Sequence, residues 1–144
     1  MLASDNPVRD DEDRNIAIHV NFDDPANLNY VLNNVENIYD YYKEKGKPVE
    51  IRIVAHGPGL HMLRDDTSPA KGRIMKLAQT QEGLSFYACA NTKARMEKAE
   101  NKTLVIMDVA TMVPSGLIEL IELNRAGWTY IKPYERGPEQ IIPK

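Results

Sequence analysis

From Asn15 onward, short apolar runs alternate with stretches in which apolar residues recur every three or four positions. These are the two periods that separate strands from helices. Ile16 to Phe22 alternates with period two and is rich in strand-favouring side chains, which predicts a first strand. Asp24-Pro25 follows with a capping carboxylate and a proline suited to the first helical position. Leu28, Val31, Leu32, Val35, Tyr39 and Tyr42 then form one apolar helical face, and Gly46 supplies a left-handed stop. Val49 to Ala55 predicts a second strand. Ser68-Pro69 opens another helix in the same manner, with Ile74, Leu77 and Ala78 on its buried face and Gly83 at its end. Leu84 to Ala88 is a third strand, after which Asn91 or Thr92 caps a shorter helix reaching about Lys98. Thr103 to Val113 is apolar at both ends but interrupted by Asp108, and a strand is expected near Ala110 to Val113. Pro114-Ser115-Gly116 introduces a helix to about Arg125, Gly127 stops it, and Trp128 to Ile131 forms the last strand.

Strands separated by helices in this rhythm imply right-handed crossovers. The expected class is α/β: a three-layer α/β/α domain on a mainly parallel sheet of about five strands. Residues 15–133 form that single domain. Residues 1–14, with five acidic residues and no apolar core, are expected to be a flexible acidic arm, and residues 134–144 an extended tail in a proline-rich segment. A chain of 144 residues with 42% hydrophobic content suffices for one core. The net charge of −3, with basic residues scattered among acids, gives no footprint for nucleic acid. The acidic start is neither a secretory leader nor a membrane span, so the expected location is cytoplasmic, although a leader already removed would leave the same sequence.

One cysteine, Cys89, occurs in the whole chain. It permits no internal disulfide and no cysteine-rich zinc site, in keeping with a reducing compartment. Its position carries the chemical interest. A thiol where a strand ends and a helix begins lies near the positive end of the helix dipole and near unpaired N–H groups, both of which favour thiolate. The plain alternative is a buried cysteine acting as a small hydrophobe.

Chemistry in open parallel sheets gathers at the carboxyl ends of the strands. Three polar junctions fall there: His56-Gly57-Pro58-Gly59, Cys89-Ala90-Asn91-Thr92 and Pro114-Ser115-Gly116. His56 and His61 are candidates to lend a proton or positive charge beside Cys89, and Gly57 and Gly59 to let the backbone come close. Each has a structural alternative, as turn glycines, satisfied imidazoles or, for Ser115, a helix cap. No metal site is expected, because the histidines share no helical face and find only Cys89 as a further ligand. Ser115 stands in no Gly-x-Ser-x-Gly elbow, and neither a dinucleotide fingerprint nor a phosphate-binding loop is present.

Val54-Ala55-His56-Gly57-Pro58-Gly59-Leu60, Cys89-Ala90-Asn91-Thr92, Val113-Pro114-Ser115-Gly116 and Gly127 to Pro133, in that order, resemble the DsrE/DsrF-like family of sulfur-relay proteins. The resemblance runs from about Ile16 to Pro133 and is to the stand-alone members. It implies a flavodoxin-like protomer assembling into trimers or hexamers, with Cys89 in the place of the cysteine that carries sulfane sulfur as a persulfide. His56, Gly57, Asn91, Thr92 and Ser115 match motif positions. A second cysteine near the C-terminus is missing, so a relay would use donor and acceptor proteins on other chains.

The residues by themselves support two functions. In the first, the Cys89 thiolate attacks a sulfane donor, the N–H groups at Asn91 and Thr92 hold the anionic terminal sulfur, and no cofactor is needed. In the second, the chain is a noncatalytic oligomeric binding or scaffold module with a structural cysteine. Leu117, Ile118, Leu120, Ile121 and Leu123 favour assembly, since they span roughly 220° of a helical wheel, wider than one sheet face requires.

Overall fold

The computed structural model describes residues 14–135. The strands are β1 (Asn15–Val20), β2 (Glu50–Ala55), β3 (Leu84–Cys89), β4 (Ala110–Val113) and β5 (Thr129–Ile131). They form one parallel sheet in the order β4-β3-β2-β1-β5. The helices are α1 (Pro25–Glu44), α2 (Lys71–Thr80), α3 (Ala90–Glu100) and α4 (Gly116–Arg125). Three crossovers each step one strand in the same direction, and the fourth jumps back across the sheet to β5. Right-handed connections therefore put α1, α2 and α3 on one face and α4 alone on the other. The result is the expected three-layer, flavodoxin-like architecture.

Alternation along the strands divides the core accordingly. Ile16, Ile18, Val20, Ile51, Ile53 and Phe86 pack toward α1 and α2, where Leu28, Val31, Leu32, Val35 and Ile74 are fully buried. The opposite face has a smaller cluster in which Ala17 and Val54 meet Leu120 and Leu123 of α4, flanked by Tyr87 and Trp128. Arg52 emerges beside that cluster. Its guanidinium lies 4.1 Å from the Tyr87 ring and 4.9 Å from the Trp128 ring, and donates to Glu119 on α4 at 2.9 Å.

The local punctuation mostly follows the sequence. Asp24 caps α1 by accepting from the Asn27 N–H at 3.1 Å, Pro25 is its first residue, and Gly46 adopts φ +67° just beyond its end. β4 and α4 also fall where the pattern places them.

Three boundaries differ from expectation. Helix α2 begins at Lys71 rather than at Ser68-Pro69, because the chain before it is committed elsewhere. A 3₁₀ turn occupies Gly57–Leu63, and Arg64 pairs in an isolated antiparallel bridge with Ile106. The Arg64 guanidinium, 1% exposed, is held by Asp66 and Glu100. Strand β1 ends at Val20 rather than Phe22, since its carbonyl accepts from His56 N–H and the 3₁₀ turn abuts it. A Cβ at Gly59 would fall inside that Val20 carbonyl, so only glycine permits the approach. Finally, α3 starts at Ala90, earlier than a cap at Asn91 or Thr92 allows, and the cap is Cys89 itself. The proposed acidic arm and tail lie outside the described residues, apart from their innermost positions.

Candidate active site

The carboxyl ends of the strands bring five side chains or backbone positions into a row. In sheet order they are Gly116 after β4, Cys89 ending β3, His56 after β2, His19 in β1 and Tyr130 in β5. Period-two alternation puts His19 on the same face as Ala17, His56 on that of Val54 and Cys89 on that of Tyr87. The row therefore belongs to the face covered by α4. Ala55 is in register with Ala88, so His56 and Cys89 are next-door neighbours on adjacent strands.

Cys89 is 4% exposed, and its sulfur is the N-terminal cap of α3, accepting from the Thr92 N–H at 3.4 Å. Burial pushes the thiol pKa up, but hydrogen bonds from the Thr92 hydroxyl and from the backbone N–H groups of Gly116, Thr92 and Asn91 outweigh it, and the net shift is downward. Two helix N-termini thus converge on one sulfur, α3 through Thr92 and α4 through Gly116. Gly116 makes the second approach possible: a Cβ there would lie 2.9 Å from the His56 Cβ and 3.4 Å from the Cys89 Cβ. The Thr92 hydroxyl is itself oriented, because Gly57 N–H donates to its Oγ1 at 2.9 Å, leaving its proton for the sulfur.

Beyond Cys89, three side chains are linked in a line. His56 Nε2 is 2.6 Å from His19 Nε2, and His19 Nδ1 is 2.6 Å from the Tyr130 hydroxyl. The two imidazoles meet end to end, with centroids 4.7 Å apart and planes 28° from parallel. Burial, then the neighbouring His56 and Lys132, lower the His19 pKa to about 4. Burial and Lys132 lower that of His56 as well. Both rings are neutral at pH 7.

Of the residues singled out from sequence, Cys89, His56, Gly57, Asn91 and Thr92 come together. Gly57 takes φ +54° and donates to Thr92, while Asn91 N–H also bonds the Pro114 carbonyl at 3.2 Å, tying the start of α3 to that of α4. Ser115 caps α4 by accepting from Ile118 N–H at 3.3 Å, a structural task that aims Gly116 N–H at the sulfur. Gly59 serves packing against β1, as described above. His61 bonds Thr67 at 2.8 Å and has no described contact with the row. Sequence reasoning missed His19, Gly116 and Tyr130. Only His19 left a readable signal, a polar residue on an otherwise apolar strand.

An apolar groove of about 360 Å³ opens beside His19 and Tyr130, walled by Leu117, Leu120 and Ile121 of α4. Leu117, Ile118 and Ile121 are each about half exposed. A second groove, of about 600 Å³, lies at the amino ends of β2 and β3, near Lys43, Glu50 and Gly83. Among the described residues, no group of three or more His, Cys, Asp or Glu side chains is placed to hold a metal ion. None of the described helices is long and apolar enough to cross a membrane.

The sequence profile of the DsrE/DsrF-like family matches residues 15–133. A solved structure of a protein of unknown function from Methanobacterium thermoautotrophicum, MTH1491, is similar, with 27% sequence identity and a TM-score of 0.68, covering 84% of this chain and 100% of that one. No curated protein matches the chain.

Proposed function

The chain belongs to the DsrE/DsrF-like family, and from that membership we propose that it is a sulfurtransferase-like carrier holding sulfane sulfur as a persulfide on Cys89. The observation that carries the reading is the Cys89 sulfur capping α3, where it accepts from the Thr92 N–H at 3.4 Å, with Gly116 at the start of α4 packed against the same residue. Such a site favours an anion, first the thiolate and then the terminal sulfur of the persulfide. The Cys89 thiolate attacks the outer sulfur of thiosulfate or of a donor persulfide. A new S–S bond forms, the old one breaks, and sulfite or the donor thiolate leaves with the electron pair. Oxidation states redistribute within the two reactants, so the step needs no outside oxidant and no cofactor. At 4% exposure Cys89 is buried, so loading on this reading requires local opening of the strand ends around the sulfur. The acceptor, and the donor where it is a protein persulfide, are other chains, and the reducing cytoplasm is the setting in which a lone thiol of this kind persists.

Intact mass measurement after incubation with polysulfide tests this directly. The expected product is heavier by one sulfur atom (~32 Da), sensitive to reductant and missing in Cys89→Ser. Absence of that adduct with thiosulfate and polysulfide alike contradicts the carrier.

A second reading rests on a different observation, the half-exposed Leu117, Ile118 and Ile121 beside Tyr130 and Ile131. An apolar patch on the thinly covered face suits a homo-oligomer, a trimer or hexamer, and in a pure scaffold module Cys89 would be structural. Native-state alkylation separates the two: a reagent that labels Cys89 only after denaturation favours the module.

A further inference from the structure

The row of side chains beyond Cys89 is built as a single hydrogen-bonded device. A line of two imidazoles and a phenol has only two consistent proton arrangements. Each neutral ring carries one N–H, and the Nε2···Nε2 contact of 2.6 Å uses one donor and one acceptor. Which ring donates is decided at the far end, where His19 Nδ1 meets the Tyr130 hydroxyl at 2.6 Å. An imidazole lone pair is a far better acceptor than a phenol oxygen, and a phenol O–H is the stronger donor. Tyr130 therefore donates to His19 Nδ1. The His19 proton must then sit on Nε2 and be donated to His56 Nε2, and the His56 proton must sit on Nδ1.

We propose that Tyr130 and His19 are positioning residues that lock His56 into its Nδ1-protonated, neutral form, so that the imidazole next to Cys89 offers an N–H donor to an anionic sulfur bound there. The inference rests on the persulfide reading for the identity of that anion, and on geometry alone for the lock. Neutrality and direction both matter. A neutral donor stabilises the outer sulfur of the persulfide without protonating it, leaving it available for transfer. A ring in the other tautomer would present a lone pair to an anion. Tyr130 is 43% exposed, so it acts from the rim of the apolar groove, within reach of whatever docks on α4.

Nitrogen-15 spectra of the full chain at neutral pH read the tautomer directly. The wild type is expected to show His56 protonated at Nδ1 and unprotonated at Nε2. Tyr130→Phe, which removes one exposed hydroxyl, should shift His56 toward the Nε2-protonated form and slow sulfur loading from polysulfide about tenfold, with an unchanged rate of alkylation at Cys89. His19→Phe should release the tautomer in the same way. A wild-type His56 protonated at Nε2, or one whose tautomer ignores Tyr130→Phe, overturns the lock. If the tautomer responds but the wild type takes up no sulfur, the persulfide reading fails while the lock stands.

Discussion

The two faces of the sheet are covered unequally. On one, α1 and α2 seal Leu28, Leu32, Ile51, Ile53 and Phe86 from solvent completely, with α3 beside them. On the other, α4 alone covers Ala17 and Val54, Arg52 and His19 occupy positions that aliphatic residues hold opposite, and Leu117, Ile118 and Ile121 stay half exposed. The difference assigns separate duties. The thick face supplies most of the apolar burial, which scales with area removed from water. The thin face keeps polar groups at the strand ends within reach of one another, held by α4 and by the Arg52 contacts with Tyr87, Trp128 and Glu119. Helix α3 bridges the duties, since it has no buried residue and is fixed mainly by its ends: Cys89 and Thr92 at the start, and Glu100 with Arg64 near the finish.

The contrast in stability is open to direct measurement. Leu32→Ala on the thick face should cost about 3 kcal/mol in urea unfolding, and Leu120→Ala beneath α4 should cost less, because its surroundings can relax into solvent. Equal losses would break the comparison.

An acid titration probes the polar layer of the thin face. His19 has a folded pKa of about 4 against 6.5 when free, so between those values the unfolded chain binds the proton and the folded one does not. Stability should therefore fall as pH drops from about 6.5 toward 4, by on the order of 1–2 kcal/mol once partial solvent contact is allowed for. The lowered pKa of His56 acts in the same sense. His19→Phe should flatten that slope, measured as denaturation midpoint against pH.

Charge on the outer side of α4 should hardly alter folding. Leu117→Glu with Ile121→Glu is expected to change stability by less than about 0.5 kcal/mol, yet reduce the mass seen by light scattering to that of a monomer. A wild type already monomeric at micromolar concentration would contradict the assembly. Thr92→Val is read in thiol chemistry rather than in stability. It deletes the hydroxyl between Gly57 N–H and the Cys89 sulfur, so the thiol pKa should rise and alkylation at neutral pH should slow several-fold.

The architecture was legible because each element carries its own signal. Asp24-Pro25, Gly46 and Gly127 punctuate helices that the apolar periods already define, and β4 and α4 begin where Ala110 and Ser115 place them. The late start of α2 was not legible, since it depends on the buried Arg64 and its bridge to Ile106, a contact across more than forty positions. The site divided in the same way. Cys89, His56, Gly57 and Thr92 stand at junctions that local patterns mark. Gly116 resembles any first helical residue until the fold sets it between His56 and Cys89. Tyr130 resembles any strand tyrosine until β5 is inserted beside β1 by the last crossover. Sequence shows the ends of strands, but the order of strands decides which ends meet.

The central claim is that the thin face holds a sulfur anion. Titrating the ultraviolet absorbance of the thiolate, with Cys89→Ser as the blank, measures this in one experiment. The account predicts a midpoint below the ordinary thiol value of about 8.5, moving upward in Thr92→Val. A midpoint at or above about 8.5 in the wild type would mean that burial outweighs the groups at the starts of α3 and α4 that favour the thiolate, contradicting the claim.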